Sequence, residues 1–153
     1  MQKITPFLWF DKEAREAAKF YTSIFKGSKT TGTETLSDTP SGSVDVVTIE
    51  LMGQEFTLMS AGPQFKFNES VSFVVNCETQ DEVDYYWEKL TSGGGQESMC
   101  GWLKDKYGLS WQIVPTVLTK LLGDRDPVKA QRVMKAMLQM KKIDIKMLKQ
   151  AYE

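Results

Sequence analysis

The sequence contains no histidine. Histidine is the commonest general base at neutral pH and the commonest transition-metal ligand in proteins. Its absence excludes Ser-His-Asp and Cys-His nucleophile systems, and it excludes histidine-based zinc and non-haem iron sites. Any acid–base or metal chemistry must therefore use other side chains.

Cysteine, net charge and long apolar runs are also scarce. Cys77 and Cys100 are the only cysteines, which is too few for a disulfide framework and indicates a reducing compartment. The net charge of −1 gives no field that would attract nucleic acid or an anionic membrane. No apolar run approaches the ~20 residues that span a bilayer, and residues 1–6 lack the pattern of a signal peptide. We therefore expect a cytoplasmic protein, with neither nucleic acid nor a membrane as a partner.

An internal repeat with a spacing of 66 residues is the most informative pattern that is present. Each copy has an apolar strand-like run, a short polar break and a helix-like stretch with an aromatic pair. These pairs are Phe20-Tyr21 and Tyr86-Trp87, so Tyr21 and Trp87 are offset by 87 − 21 = 66 residues. Such a repeat predicts a tandem duplication.

Hydrophobic periodicity predicts a strand, a helix and then further strands in each copy. The first copy has a predicted strand 3–10, a helix 13–25 and strands 29–38, 44–52 and 55–60, the last entered through a Gly53-Gln54 turn. The second has a strand 70–77, a helix 80–90 with a Thr79/Glu82 capping box, and strands 101–106 and 109–114. Residues 96–99 have no clear pattern. We interpret the chain as an α+β protein in which two tandem βαβββ modules, 1–62 and 63–115, form a curved mixed sheet with a cleft.

Residues 116–153 are predicted to be a helical extension of the same compact unit. A short helix covers 116–122, Asp126-Pro127 begins the next, and Asp144 caps the last. The expected apolar stripe of the middle helix is Ala130, Val133, Met134, Met137 and Leu138. Residues 124–153 carry eight Lys or Arg against four Asp or Glu. Such a segment can bind nucleic acid, but a solvated helix face that pairs with an acidic body is the simpler interpretation.

The glycine and cysteine patterns indicate no particular chemistry. Gly93-Gly94-Gly95 follows a helix and is typical of a flexible loop, because a phosphate cradle would stand between a strand and a helix N-terminus. Cys100 is either an inert, pocket-lining thiol or a reactive one activated by nearby lysines. Cys77 ends an apolar strand and is expected in the core. Trp9, Trp102 and Trp111 lie on predicted strands, where they either fill a core or line a ligand cavity.

Several segments resemble the vicinal oxygen chelate superfamily, which includes glyoxalases and bleomycin resistance proteins. They are Ile4 to Phe10, the Phe20-Tyr21 pair and Lys104 to Ile113. The Cys100 to Pro115 stretch and the helical residues Lys129 to Met134 are similar to the PhnB-like subgroup, which often carries a demethylubiquinone methyltransferase label. The resemblance extends over essentially the whole chain and implies the duplicated fold.

The resemblance also implies where metal-dependent members hold their ion. Those positions fall at about Thr5, Thr57, Val71 and Gln112, and only Gln112 among them could serve as a ligand. We therefore expect no metal, no other cofactor and no stoichiometric transition metal in the purified protein. The methyltransferase label is also unsupported, because a nucleoside methyl donor usually needs a glycine-rich strand-to-helix turn and none is present.

The function expected from this reading is the binding of a small, partly apolar molecule in an aromatic-lined cleft. The candidate cleft residues are Trp9, Phe56, Thr57, Met59, Ser72, Cys100, Trp102 and Gln112. Because alternate strand residues share a face, Gln112 is expected in the cleft and Trp111 beneath a helix. One alternative is a lyase- or oxidoreductase-like enzyme of this fold that works through Gln112, Tyr107 or Cys100, or through a metal held at positions shifted from those given above. Another is a structural or regulatory dimer without a ligand, and a homodimer is expected in any case, since the sheet leaves an open edge.

Overall fold

The computed structural model describes residues 2–153 and confirms the α+β architecture with two βαβββ modules. The chain divides into two compact units, of which one ends at Phe67 and the other comprises Asn68–Glu153. The first unit contains β1 (Phe7–Phe10), α1 (Ala14–Ile24), β2 (Lys29–Thr39), β3 (Gly42–Leu51) and β4 (Gln54–Ser60). The second contains β5 (Ser72–Cys77), α2 (Gln80–Thr91), β6 (Gln96–Glu97), β7 (Trp102–Lys104), β8 (Ser110–Pro115), α3 (Thr116–Leu122), α4 (Pro127–Met137) and α5 (Ile145–Tyr152).

Each unit has a four-stranded mixed sheet with the same strand order. The order is β1-β4-β3-β2 in the first unit and β5-β8-β7-β6 in the second. In each sheet the strand that precedes the helix pairs in parallel with the last strand of the module, and the other pairings are antiparallel. The duplication seen in the sequence is therefore repeated in the hydrogen-bonding pattern.

Helix α1 packs one apolar stripe on the first sheet. Ala14, Ala17, Ala18, Tyr21 and Ile24 are buried, and their spacing of three and four residues places them on one side of the helix. The first helical amide, that of Ala14, donates to Ser60 Oγ of β4 at 2.9 Å. A side chain of the sheet thus satisfies a helix end that has no cap of its own.

The turn between β3 and β4 lies one residue earlier than predicted. Met52 and Gly53 form it, with φ of 50° and 87°, and Gln54 already pairs with Leu51. Two positive φ values are characteristic of the two-residue hairpin turns that match strand twist.

The second module contains a strand that the sequence pattern did not predict. Gln96 and Glu97 form β6, which pairs with Lys104 and Leu103 of β7. A two-residue strand is too short to show an alternating pattern.

The capping box before α2 differs in one hydrogen bond from the predicted one. Thr79 Oγ1 accepts from the Glu82 amide as expected, but the Glu82 carboxylate accepts from the amide of Glu78 rather than that of Thr79.

The C-terminal helices have a small core of their own. Its buried residues are Leu118, Val133, Met140, Ile143 and Leu148. The predicted α4 stripe was partly wrong, because Met134 is 39% and Leu138 50% exposed while Val133 is fully buried. Asp126 and Asp144 cap α4 and α5 as predicted, and the side chain of each accepts a hydrogen bond from a backbone N–H.

Within residues 2–153, no helix has the length and apolar content needed to cross a membrane.

Candidate functional site

Three of the candidate residues share one face of the first sheet. Trp9 of β1 pairs with Met59 of β4, and Thr57 lies two residues before Met59, so their side chains point away from α1. The Trp9 indole N–H donates to the Gly62 carbonyl at 2.8 Å, and its ring meets Phe65 edge-on at 5.0 Å between centroids. Segment 62–65 therefore covers part of this face.

Phe56 lies on the opposite face of the same sheet. It pairs with the fully buried Ile49 and is itself only 6% exposed. Because side chains alternate along a strand, Phe56 cannot share a surface with Thr57 or Met59. It belongs to the core packed under α1, and the structure separates it from the rest of the candidate set.

Three more candidates share the face of the second sheet that points away from α2. Trp102 and Gln112 are register partners on β7 and β8, and Gln112 Nε2 donates to Ser72 Oγ of β5 at 2.9 Å. Trp111 points the other way, as predicted, and is 3% exposed. The open face of this sheet thus combines an indole ring with an amide and a hydroxyl.

Cys100 belongs to the loop before β7 rather than to the sheet. Its φ of 60° is in the left-handed region, and its amide donates to the Met140 carbonyl at 2.7 Å. The amide of Gly101 donates to the Lys141 carbonyl at 2.8 Å. The C-terminal extension therefore fixes the backbone of the loop that leads into Trp102.

A cavity of about 280 Å³ opens on the second unit beside Trp102. The residues that line it include Glu69, Gln96, Ser98, Trp102, Lys104 and Ser110. Lys104 forms an ion pair with Glu69, and this contact holds the pKa of the Glu69 carboxyl below its usual range. Glu69 is therefore ionised at neutral pH.

Ser110 is the least expected member of this cavity. It is 1% exposed, and within residues 2–153 its hydroxyl has no hydrogen-bond partner. Buried hydroxyls in native proteins are almost always hydrogen-bonded, because leaving one unsatisfied costs ~1–3 kcal/mol. The sequence reasoning passed over Ser110, since a serine on a predicted strand has no distinguishing pattern.

Asp105 is a second buried polar residue that the sequence reasoning missed, but its role is structural. Its carboxylate accepts from the amides of Tyr107 at 2.9 Å and Leu109 at 3.1 Å, and from Trp111 Nε1 at 2.9 Å. The carboxylate thus organises the turn between β7 and β8 and anchors the indole beneath α2. The Asp-x-Tyr-Gly turn sequence was the available signal.

Comparison with known proteins assigns the family. The model of the family described as 3-demethylubiquinone-9 3-methyltransferase matches residues 2–114. The chain belongs to this family. The PhnB protein from Bacillus cereus is 35% identical, with a TM-score of 0.67, over 75% of this chain and 100% of the other. No curated protein matches the chain.

More distant structures share the fold of this family. The fosfomycin resistance protein FosX from Listeria monocytogenes has a TM-score of 0.60 at 14% identity, covering 80% of this chain and 98% of its own. Protein PA1353 from Pseudomonas aeruginosa has a TM-score of 0.57 at 20% identity, covering 75% and 98%. The fold is thus that of the vicinal oxygen chelate superfamily.

The C-terminal helices lie outside the family match. The match ends at Val114, and the Bacillus cereus protein is covered completely by 75% of this chain. The helical residues Lys129 to Met134 therefore lie outside the matched range, and their similarity to the subgroup stays a prediction.

The residues at the metal positions that the resemblance implies do not fit a metal ion. Val71 has a hydrocarbon side chain, and the Gln112 amide is hydrogen-bonded to Ser72. In the described part of the chain, no group of three His, Cys, Asp or Glu residues could hold an ion. Val71 and the hydrogen-bonded Gln112 therefore leave these positions with too few donors for a divalent cation. Elemental analysis is the direct test of the metal-free prediction, and about one zinc, nickel or iron per chain would contradict it.

Proposed function

We propose that this member of the family binds a small, partly apolar molecule in the cavity of its second unit, without a metal ion. The observation that carries the proposal is the buried, unpartnered hydroxyl of Ser110. A ligand oxygen or nitrogen that hydrogen-bonds to this hydroxyl would offset the cost of burying it. The indole of Trp102 offers an apolar surface for the rest of the molecule, and Ser72 and Gln112 add polar groups beside it.

The corresponding face of the first unit supports the same kind of binding. Trp9, Thr57 and Met59 present an aromatic, a hydroxyl and a thioether group on the side of the sheet that is free of α1. We propose that these three side chains form a small-molecule surface of the first unit by itself. Phe56 is left out of the proposal because it is buried in the core under α1.

Methyl transfer is not part of the proposal, although the family description names it. The strand-to-helix turns of the two modules are Asp11 to Glu13 and Glu78-Thr79, and neither contains glycine. A nucleoside methyl donor usually needs backbone amides exposed at such a glycine-rich turn. The fold alone does not supply that site.

A metabolite screen by thermal shift, followed by calorimetry on Ser110→Ala, tests the binding proposal. The variant should lose affinity for any hit by about fivefold or more, because a ligand hydrogen bond is removed. Its free energy of unfolding should be unchanged or higher by up to about 1 kcal/mol, because an unsatisfied buried hydroxyl disappears. Ser43→Ala, at an exposed position near the start of β3, is the matched control and should change neither quantity. Hits that bind Ser110→Ala as tightly as the wild type would contradict the proposal.

We also propose that the protein is a homodimer in solution. The support is β2, an edge strand of 11 residues with all but its last residue exposed. A long unpaired edge favours pairing with another chain. Sedimentation equilibrium at tens of micromolar should give about twice the chain mass of 17.4 kDa. A mass of one chain at that concentration would refute the dimer.

A further inference from the structure

A row of polar side chains crosses the open face of the second sheet at the level of Ser110. Cα register partners place Gln96 of β6 opposite Lys104 of β7, Lys104 opposite Ser110 of β8, and Ser110 opposite Ser72 of β5. In an antiparallel pair such as Lys104 and Ser110, directly opposed residues have Cβ atoms ~4.5–5.5 Å apart. The Lys104 and Ser110 side chains therefore leave the sheet side by side on one face, and both residues line the cavity.

Lys104 already holds a carboxylate at this position. Its partner Glu69 precedes β5 on an exposed part of the chain, and the paired side chains are 36% exposed for Lys104 and 63% for Glu69. Exposed ion pairs contribute little to stability, so a competing anion can replace Glu69 at small cost. Ser110 Oγ makes no hydrogen bond to Glu69 or to any other residue in the range 2–153.

Glu97, the other acidic residue at the cavity, does not prevent an anion from binding at Lys104. Glu97 pairs with Leu103, a fully buried residue on the α2 side of the sheet. The Glu97 carboxylate accepts from Trp87 Nε1 at 2.6 Å, so its charge is directed to that side. Lys104 is the one cation among the described residues that line the cavity, and Gln96, Ser98 and Ser110 are its neutral donors.

We propose that the ligand carries a carboxylate that displaces Glu69 from Lys104 and accepts a second hydrogen bond from the Ser110 hydroxyl, with its apolar body against Trp102. Trp102 lies two residues before Lys104 and so points to the same face. A carboxylate has two acceptor oxygens, which matches two adjacent donors of which one is charged. This inference rests on the proposed binding function and names its ligand class. Glu69 then acts as an internal competitor for the site.

The test uses three probes that share one apolar body and differ in the head group. They are 3-phenylpropionate, 3-phenyl-1-propanol and 3-phenylpropylamine, each titrated calorimetrically into the full chain. The carboxylate should bind about tenfold tighter than the alcohol, and the amine should bind weakest. Lys104→Met should abolish the difference between carboxylate and alcohol. Glu69→Gln should tighten carboxylate binding about two- to fivefold and leave the alcohol unchanged.

Lys106→Met is the matched charge control. Lys106 is exposed and lies over the Tyr107 ring, at 5.5 Å from its centroid, rather than in the cavity lining. This variant should leave all three affinities unchanged. A uniform loss of carboxylate affinity in both lysine variants would show a general charge effect and overturn the assignment of Lys104.

The outcomes separate this inference from the proposed function. If the alcohol or the amine binds as tightly as the carboxylate and Ser110→Ala weakens it, the carboxylate class is wrong and small-molecule binding stands. If none of the three probes binds at millimolar concentration, the carboxylate class is overturned, and the metabolite screen decides the binding function separately.

Discussion

At the scale of single residues, two buried polar groups of the second unit behave in opposite ways. Asp105 and Ser110 are 2% and 1% exposed, and both lie at the turn between β7 and β8. The Asp105 carboxylate accepts hydrogen bonds from two amides of the turn and from the Trp111 indole N–H. The Ser110 hydroxyl, in contrast, has no hydrogen-bond partner among residues 2–153. A satisfied buried group stabilises the fold, while an unsatisfied one is a cost that ligand binding can offset.

Replacing Asp105 should therefore be strongly destabilising. Asp105→Ala leaves the Leu109 amide and the Trp111 indole N–H buried without their acceptor, and we expect a loss of about 3 kcal/mol or more. Urea unfolding followed by tryptophan fluorescence measures this change. Asp11→Ala, at an exposed position, is the control and should change the free energy of unfolding by no more than about 0.5 kcal/mol. A similar small effect for Asp105→Ala would show that the carboxylate does not hold the turn.

The cysteines give a second prediction at this scale. Cys77 is fully buried, and burial, reinforced by Glu82 and Glu78, raises the pKa of its thiol to about 12. Because only the thiolate reacts, Cys77 should resist iodoacetamide at pH 8 in the folded protein and react once urea unfolds it. The Cys100→Ser variant isolates this thiol, and mass spectrometry counts the adducts. Labelling of native Cys100→Ser within minutes would contradict the burial.

At the scale of elements, the C-terminal extension is attached to the second module by polar as well as apolar contacts. Gln80, in the first turn of α2, donates to the Ile143 carbonyl at 3.0 Å and accepts from the Ile145 amide at 2.8 Å. The Met140 and Lys141 carbonyls accept from the amides of Cys100 and Gly101. Gly101 has a φ of 83°, and a Cβ there would lie 2.9 Å from the Ile113 carbonyl oxygen, so only glycine fits. Segment 140–145 therefore fixes the loop that leads to Trp102.

Breaking the Gln80 contacts should loosen that loop. Gln80→Leu removes both hydrogen bonds to the extension, and we expect hydrogen exchange at the Cys100 and Gly101 amides to accelerate about tenfold. Exchange at the Leu109 amide, which is bound to Asp105, should not change. Gln131→Leu, at an exposed position of α4, is the matched control. Unchanged exchange at Cys100 and Gly101 in Gln80→Leu would show that the extension holds the loop without Gln80.

At the scale of the whole molecule, ionisation of carboxyl groups should lower stability at acid pH and leave it nearly constant around neutral pH. Hydrogen bonds to Arg15, Lys142 and the Asp126 amide hold the pKa values of Asp45, Asp84 and Asp124, respectively, below their usual range. A carboxyl with a lowered folded-state pKa stabilises the fold above its unfolded pKa, and this contribution is lost as the pH falls through the folded value. The chain has no histidine, so no side chain with an ordinary pKa near 6.5 can titrate between these carboxyls and neutral pH.

We therefore predict a free energy of unfolding that is flat from about pH 5.5 to 7.5 and falls below about pH 4. Chemical denaturation at a series of pH values measures the profile. The triple variant Asp45→Asn, Asp84→Asn and Asp124→Asn should be less stable at pH 7 and should lose less stability on acidification. A step in stability near pH 6.5 would reveal a titrating group that these residues do not account for.

The sequence by itself determined the duplicated βαβββ order, the helix caps at Thr79, Asp126 and Asp144, and the opposite directions of Trp111 and Gln112. These features depend on local spacing and on the period of two along a strand, and residues close together in the sequence are enough to determine both. It could not locate β6, because two residues have no period. It grouped Phe56 with Thr57 and Met59, because aromatic character alone does not show which face is packed under a helix.

Only the tertiary structure decided the composition of the candidate site. The row from Gln96 to Ser72 joins four strands, and its members become neighbours through strand register, which sequence spacing does not reveal. The unpartnered state of Ser110 and the saturation of Asp105 likewise depend on which distant groups approach within hydrogen-bonding distance. Secondary structure follows from short-range preferences, whereas hydrogen-bond satisfaction and burial follow from long-range contacts. For this reason the fold could be predicted from the sequence and the cavity could not.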